Sequence, residues 1–507
     1  MAVYAGPGGG VGFERSRQRF EAVVGWLAGG NAGELSHAEL EERLTVEARE
    51  VTRVLLQDHL DLRAVREERL PEVVGVDTVT RRYAERGHTR GLVTVFGQVS
   101  VERIAYRAKG AGNLAPADGV LNLPDGLHSH GLRRLAAIEA ATGSFESATA
   151  AIERATGVGV GKRQVEALAA AAAVDVDAFY ASRQHPAVPV GDVVVLTADA
   201  KGIVMRHDAL REPTARKAAA GGHKLATRLS RGEKSGRKRM AEVVAVYHCT
   251  PAPRTPDDVI APPAAHTGGE RRERRAGPKA AGKWLHASVT DDAATVIAAM
   301  FDQAERADPD VARPWIVLVD GNTHQIDLIT AQARARHHPV TIIVDFVHVL
   351  EYVWKAAWSL HAEGDPAAET WVAAQARDVL AGRAHRVAGR IQRTIAQRGL
   401  TTERRKGADA CVTYLLNKAR YLRYHQALTN GWPIATGVIE GACRHLLKDR
   451  MDITGARWGL PGAEAILKLR ALISNGDFDT YWAYHLEQEH HRVHTSRYPD
   501  GIIPAPA

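Results

Sequence analysis

Three carboxylates stand at comparable places in this chain. Asp199 closes the stretch DVVVLTAD (192–199), Asp320 closes WIVLVD (315–320), and Glu440 lies in GVIEGACRHLLKDRM (437–451). The first two stretches are apolar, β-branched runs that read as buried strands, and the third reads as a helix. The tip of a buried strand is a rigid mount, which suits a catalytic group. If the two strands are neighbours in one sheet, both Asp side chains emerge at the same edge, and a helix packed across that edge adds the Glu. Clustered carboxylates repel one another and take up protons unless cations neutralise them. Two Mg²⁺ (or Mn²⁺) ions would do so through hard oxygen ligands, leaving positions for phosphate and water. Such a pair, roughly 4 Å apart, activates an attacking oxygen and stabilises a leaving one in phosphodiester chemistry. The competing reading is three unrelated acids, Glu440 being simply exposed.

The elements that must carry these residues follow from the pattern. Residues 14–66 read as amphipathic helices, with Ser36 and Glu39 as a capping box. LVTVFGQVSVERIAY (92–106) alternates about a Gly-Gln turn and reads as a β-hairpin. In 144–180 two helices flank GVGV at 157–160, which places Lys162, Arg163 and Gln164 at the start of the second. That is the layout of a helix-turn-helix, whose second helix enters the major groove of double-stranded DNA N-terminus first; any glycine-turned helical hairpin shares it. From 190 the texture changes to strands at 192–199, 202–206, 241–250, 315–320 and 340–346, with helices at 291–307 and 323–337. Residues 255–283 have loop composition. After the strand at 340–346 helices dominate to about 430, and the Glu440 helix closes the order β-β-β-α-β-α-β.

The chain has 507 residues, enough for two to four domains. The expected division is a helical region (1–68), a hairpin and helix-turn-helix DNA-binding region (69–187), a core (188–360), an all-α insertion (361–432), closing helices (433–480) and a tail (481–507). Net charge is +7 with pI near 9.3. Residues 201–240 hold 12 Lys/Arg against three acids, and ERRERRAGPKAAGK spans 270–283. Clustered positive charge is the footprint of a polyanion partner, or else a solvated loop. No apolar run reaches the roughly 18 residues of a membrane span, and the N-terminus lacks a signal-peptide pattern. The three cysteines, Cys249, Cys411 and Cys443, match neither a disulfide framework nor a zinc motif. A cytoplasmic protein is expected.

With TADAKGIVM around Asp199, VLVDGN around Asp320, GVIEGACRHLLKDRM around Glu440 and then ITGARWGLPGAEAILKLRAL (453–472), the sequence resembles the bacterial DDE transposases of the ISKra4 insertion-sequence family, over about 70–480. The resemblance implies an α/β ribonuclease H-like core with a mixed five-stranded sheet, an all-α insertion that holds transposon-end DNA, and an α+β N-terminal DNA-binding region. It implies that Asp199 bridges both ions while Asp320 and Glu440 each hold one. Water attack would free a 3′-OH that then attacks target DNA, with a homodimer or larger assembly handling two terminal inverted repeats. DFVH (345–348) resembles the Asp/Cys-x-x-His motif of related families. It makes Asp345 the rival of Asp320 as second metal ligand and His348 an accessory group, or a structural histidine.

Arg444 and Lys448, one and two α-helical turns beyond Glu440, suit phosphate contacts. Arg457 and Trp458 could touch DNA, Trp458 by stacking on a base or else by packing in the core. Some relatives carry a cysteine pair after the hairpin; this chain reads YRAKGAGNLAPAD there, so no zinc is expected. The readings left open beside a transposase are a nuclease or resolvase that only hydrolyses, and a non-catalytic transposase-derived DNA-binding protein.

Overall fold

A computed structural model describes residues 12–220, 237–260, 274–453 and 455–506. Much of the two basic clusters expected to meet a polyanion, 221–236 and 270–273, lies outside the described residues. The chain forms two compact units, with boundaries between residues 181 and 182 and between 475 and 476, so the last segment belongs to the first unit.

The first unit begins with helices α1 (Glu14–Ala28) and α2 (His37–Arg66). The Ser36/Glu39 capping box is formed, Ser36 accepting the Glu39 amide and Glu39 accepting the Ser36 amide. A three-stranded antiparallel sheet follows: β1 (Tyr83–Thr94), β2 (Gly97–Ala108) and β3 (Ala111–Leu114). The hairpin turn falls on Val95-Phe96, ahead of the expected Gly-Gln pair. Thr94 pairs with Gly97, and the Thr94 hydroxyl accepts the Phe96 amide at 3.1 Å and donates to the Gly97 carbonyl at 2.8 Å. Gly97, at φ 123°, opens the return strand, a backbone conformation that glycine tolerates.

Three helices come next: α3 (His130–Thr142), α4 (Phe145–Thr156) and α5 (Lys162–Ala172). Ala148, Ile152, Val165 and Leu168 are buried, together with Leu132 and Ala136 of α3. Gly157 ends α4 in the left-handed conformation at φ 73°.

In the second unit the sheet order is β8-β7-β4-β5-β6, built from β4 (Val193–Val204), β5 (Lys238–Cys249), β6 (Ala281–Ser288), β7 (Trp315–Val319) and β8 (Val340–Val344). β4, β7 and β8 are parallel, while β5 and β6 run antiparallel, giving a mixed five-stranded sheet. Two expectations change here. The stretches 192–199 and 202–206 form one strand, because β4 pairs with β5 without interruption from Val193↔Cys249 to Val204↔Lys238 and Gly202 does not turn the chain. The fifth strand is β6, which begins inside the segment read as loop and runs on to Ser288.

Helices α6 (Ala293–Ala307), α7 (Thr323–Ala335) and α8 (Phe346–Leu360) start on side-chain caps from Asp292, Asn322 and Asp345. The insertion contributes α9 (Pro366–Leu380), α10 (Ala384–Arg398) and α11 (Thr402–Asn417). The chain then returns through α12 (Gly437–Ala442), a π-helical turn (Cys443–Lys448) and α13 (Leu460–Asn475).

The final helix, α14 (Phe478–Val493), spans the end of the expected closing helices and the expected tail, and it packs into the first unit. Tyr481 donates to the Ala172 carbonyl at 2.6 Å. His485, 2% exposed, contacts Asp175 at 2.7 Å, and Arg133 pairs with Glu489 at 3.2 Å. No described helix is long and apolar enough to cross a membrane.

Candidate active site

The strand register sets the heights of the acids. β4 and β7 pair in parallel up to Thr197↔Leu318, and two residues further along each strand come Asp199 and Asp320. β7 and β8 pair up to Val319↔Val344, and one residue further come Asp320 and Asp345, whose amide donates to the Val319 carbonyl at 2.7 Å. Three Asp residues therefore stand level on three adjacent parallel strands, Asp320 and Asp345 just past the ends of β7 and β8; Asp199, expected at a strand tip, lies within β4, which its pairing with β5 carries on to Val204. Glu440, in the first turn of α12, is brought to them. Glu440 is exposed to solvent, yet its carboxyl is pushed above the usual range by partial desolvation first, then by the charges of Asp199 and Asp345, with Lys201 opposing and Asp320 adding.

The rival acids differ in what holds them. Asp345 is 5% exposed and both of its oxygens are occupied: one accepts the Val347 amide at 3.0 Å, capping α8, and the other accepts the Thr436 hydroxyl at 2.9 Å. Thr436 in turn accepts the Glu440 amide on its carbonyl, so Asp345 ties strand β8 to the start of the Glu440 helix. Asp320 is half-buried, and its Oδ1 accepts the Asn322 amide at 2.7 Å. Asp199 accepts the Ala200 amide on Oδ1 at 2.7 Å and the Cys443 thiol on Oδ2 at 3.2 Å. Among the described residues, no three His, Cys, Asp or Glu side chains are drawn together tightly enough to hold an ion as they stand. The donor set is nonetheless all hard oxygen, its charges already act on Glu440, and that chemistry fits Mg²⁺ or Mn²⁺.

Four residues near these acids escaped the sequence reading. Lys201, two positions past Asp199 on β4 and so on the same face, is the cation that acts on Glu440; strand alternation alone would have found it. Glu242 pairs with Ala200 across β4 and β5, and its carboxyl is raised by burial, then relieved by Arg211 and raised again by Asp199. Cys443, read as an idle thiol, donates to Asp199, and burial keeps it protonated. Tyr414, from the insertion, donates its hydroxyl to the Asp320 carbonyl at 2.9 Å. Nothing local in the sequence marks the last two, because each acts across a long chain separation.

His348 is half-buried, edge-on to Tyr352 and Tyr414 at 5.6 and 5.9 Å, and 3.5 Å from Glu351. Arg444 and Lys448 are exposed, but the segment from Cys443 winds as a π-helix, so an argument from α-helical spacing does not hold there. The Arg470 guanidinium donates to the carbonyls of His445 and Leu446 at 3.0 and 3.1 Å, groups that the wider turn leaves available.

Arg457 is exposed. Trp458, expected to stack on a base or to pack, packs. It is 5% exposed, its indole donates to the Met451 carbonyl at 3.0 Å, the Arg450 guanidinium covers its ring at 4.7 Å, and its backbone bridges to Met205, one residue past β4. In the first unit Lys162 and Arg163 are exposed at the start of α5, Lys162 lying 3.1 Å from Glu146, while Gln164 accepts the Gly161 amide and caps the helix. No protein-family model and no curated protein matches the chain.

Proposed function

We propose that the chain is a DDE-type DNA transposase with a ribonuclease H-like core, acting on the terminal inverted repeats of an insertion sequence. The observation that carries this reading is the strand register, which sets Asp199 level with Asp320 on neighbouring strands, together with the link from Asp345 through Thr436 to the helix that bears Glu440. Asp199, Asp320 and Glu440 would hold two Mg²⁺. When bound, such a pair supplies activation of the attacking oxygen and stabilisation of the leaving one.

The chain's own residues do the rest. Asp345 keeps both oxygens in protein hydrogen bonds and so fixes the Glu440 helix against β8. Asp320 keeps the metal role by this reasoning. Lys201 offsets part of the acids' charge. Lys162 and Arg163 meet the DNA from α5, and Arg444, Lys448 and Arg457 are exposed cations on the core. The two steps are hydrolysis at the element's end, which frees a 3′-OH, and transesterification of that hydroxyl into target DNA. A dimer or larger assembly would bring two ends together.

The test is cleavage and strand transfer by purified protein with Mg²⁺, labelled DNA bearing the element's ends and a plasmid target, with Asp320→Asn in parallel. Cleavage and joining by the wild type are expected, with a loss on the order of 100-fold or more in the variant and DNA binding retained. Equal activity in both would remove Asp320 from the site. Cleavage without joining would make the protein a nuclease, and binding with neither reaction a DNA-binding protein.

A further inference from the structure

We infer that Tyr414 of the helical insertion is a positioning residue for Asp320, so that the insertion helps to build the acidic site. The inference rests on the metal-site reading of Asp320 given above. Asp320 sits beyond the end of β7, where the sheet no longer holds its backbone. What holds it there comes from α11. The Tyr414 hydroxyl donates to the Asp320 carbonyl at 2.9 Å, and one helical turn on, Lys418 Nζ donates to the Thr323 hydroxyl at 2.8 Å. The two contacts grip the Asp320–Thr323 turn from one face of one helix.

Gly321 shows how close the grip is. Its φ is 99°, and a Cβ at that position would lie 2.5 Å from the Tyr414 hydroxyl oxygen. Tyr414 is itself fixed. Its ring stacks on Tyr352 of α8 with centroids 4.0 Å apart, Lys355 Nζ lies 4.2 Å from the Tyr352 ring on that same helix, and His348 meets the Tyr414 ring edge-on. A group oriented in this way is held by packing and by a second layer of hydrogen bonds, as preorganised ligand sites require.

The test uses the full chain and Mn²⁺ binding, followed by the loss of the free-ion electron paramagnetic resonance signal. Wild type, Asp320→Asn, Tyr414→Phe and Lys418→Ala are compared, with melting temperature and DNA affinity measured on each. Tyr414→Phe removes one oxygen and is expected to weaken Mn²⁺ binding roughly 10-fold with the fold and DNA affinity intact. Lys418→Ala, at a solvent-facing contact, is expected to weaken it about 2- to 3-fold, and it decides the matter if Tyr414→Phe loses its fold. Wild-type affinity in the Tyr414 and Lys418 variants, with binding lost in Asp320→Asn, would overturn the positioning role and leave the metal site standing. Equal Mn²⁺ binding by wild type and Asp320→Asn would overturn the reading of Asp320 itself, and this inference with it.

Discussion

Each acid at the site has a different set of partners, and the partners separate their roles. Both acids have both oxygens engaged, but Asp345 joins two elements through the Val347 amide and the Thr436 hydroxyl, whereas Asp199 accepts only the adjacent Ala200 amide and the weak donor of the Cys443 thiol. The thiol contact leads to a specific expectation. Cys443→Val removes the donor to Asp199 and should weaken Mn²⁺ binding roughly 10-fold, while Cys443→Ser, which keeps a donor, should stay near wild type; calorimetry on both variants checks this.

A second residue-scale expectation concerns His130 in the first unit. Burial, with Arg133 adding, lowers its imidazole from 6.5 to about 4, and its Nε2 lies 3.0 Å from the Asn122 carbonyl. Between those two values the unfolded chain takes up a proton that the folded chain refuses. His130 therefore contributes its full stability above pH 6.5 and loses it as pH falls toward 4. His130→Gln should flatten that acid loss by ~1–2 kcal/mol, allowing for partial exposure, in urea melts of the first unit from pH 7 to pH 4.

At the scale of elements, the sheet presents acids and the helices fix them. Asp199, Asp320 and Asp345 stand level because β4, β7 and β8 pair in parallel register around β7, which is buried throughout, although β4 runs on to Val204. The insertion reaches the same edge because α11 lies very close to α8. Gly407 permits this: a Cβ there would sit 2.3 Å from the Lys355 carbonyl oxygen, and backbone cannot yield as a side-chain tip can. Ser359 completes the contact by accepting the Ala408 amide at 3.1 Å. Gly407→Ala should force the helices apart and destabilise the second unit by roughly 1–3 kcal/mol, read by chemical denaturation. Tyr414 lies two helical turns beyond Gly407, so the same variant should also weaken Mn²⁺ binding.

For the whole molecule, the decisive feature is that the first unit is built from both ends of the chain. Tyr481, Trp482 and His485 of α14 are buried there, and Arg492 pairs with Asp175 at 2.6 Å. Deleting residues 476–507 should strip a face from the three-helix region that carries Lys162 and Arg163. Differential scanning calorimetry is expected to show the first unit's transition falling by 10 °C or more, on the order of a few kcal/mol, with the transition of residues 182–475 unchanged. A single transition lowered as a whole would mean that the two units unfold together.

The sequence by itself determined the elements that local pattern controls. Apolar β-branched runs marked the strand that leads into Asp320 and the first half of the strand that carries Asp199, the Ser36–Glu39 spacing marked a cap, and the glycine turn at 157–160 marked a helical hairpin. Each depends on neighbours a few residues apart. Whether the first strand neighbours the strand that leads into Asp320 was left as a condition by the pattern, and the parallel pairing of β4 with β7 meets it. Only the tertiary structure decided that 192–206 is one strand, since the uninterrupted partner, β5, lies some 40 residues away. It alone buried Trp458 under Arg450, returned α14 to the N-terminal unit, and set Cys443 and Tyr414 against Asp199 and Asp320. The Tyr414 and Cys443 contacts span 94 and 244 residues of chain, and no periodicity in a sequence encodes which distant side chain will complete a hydrogen bond.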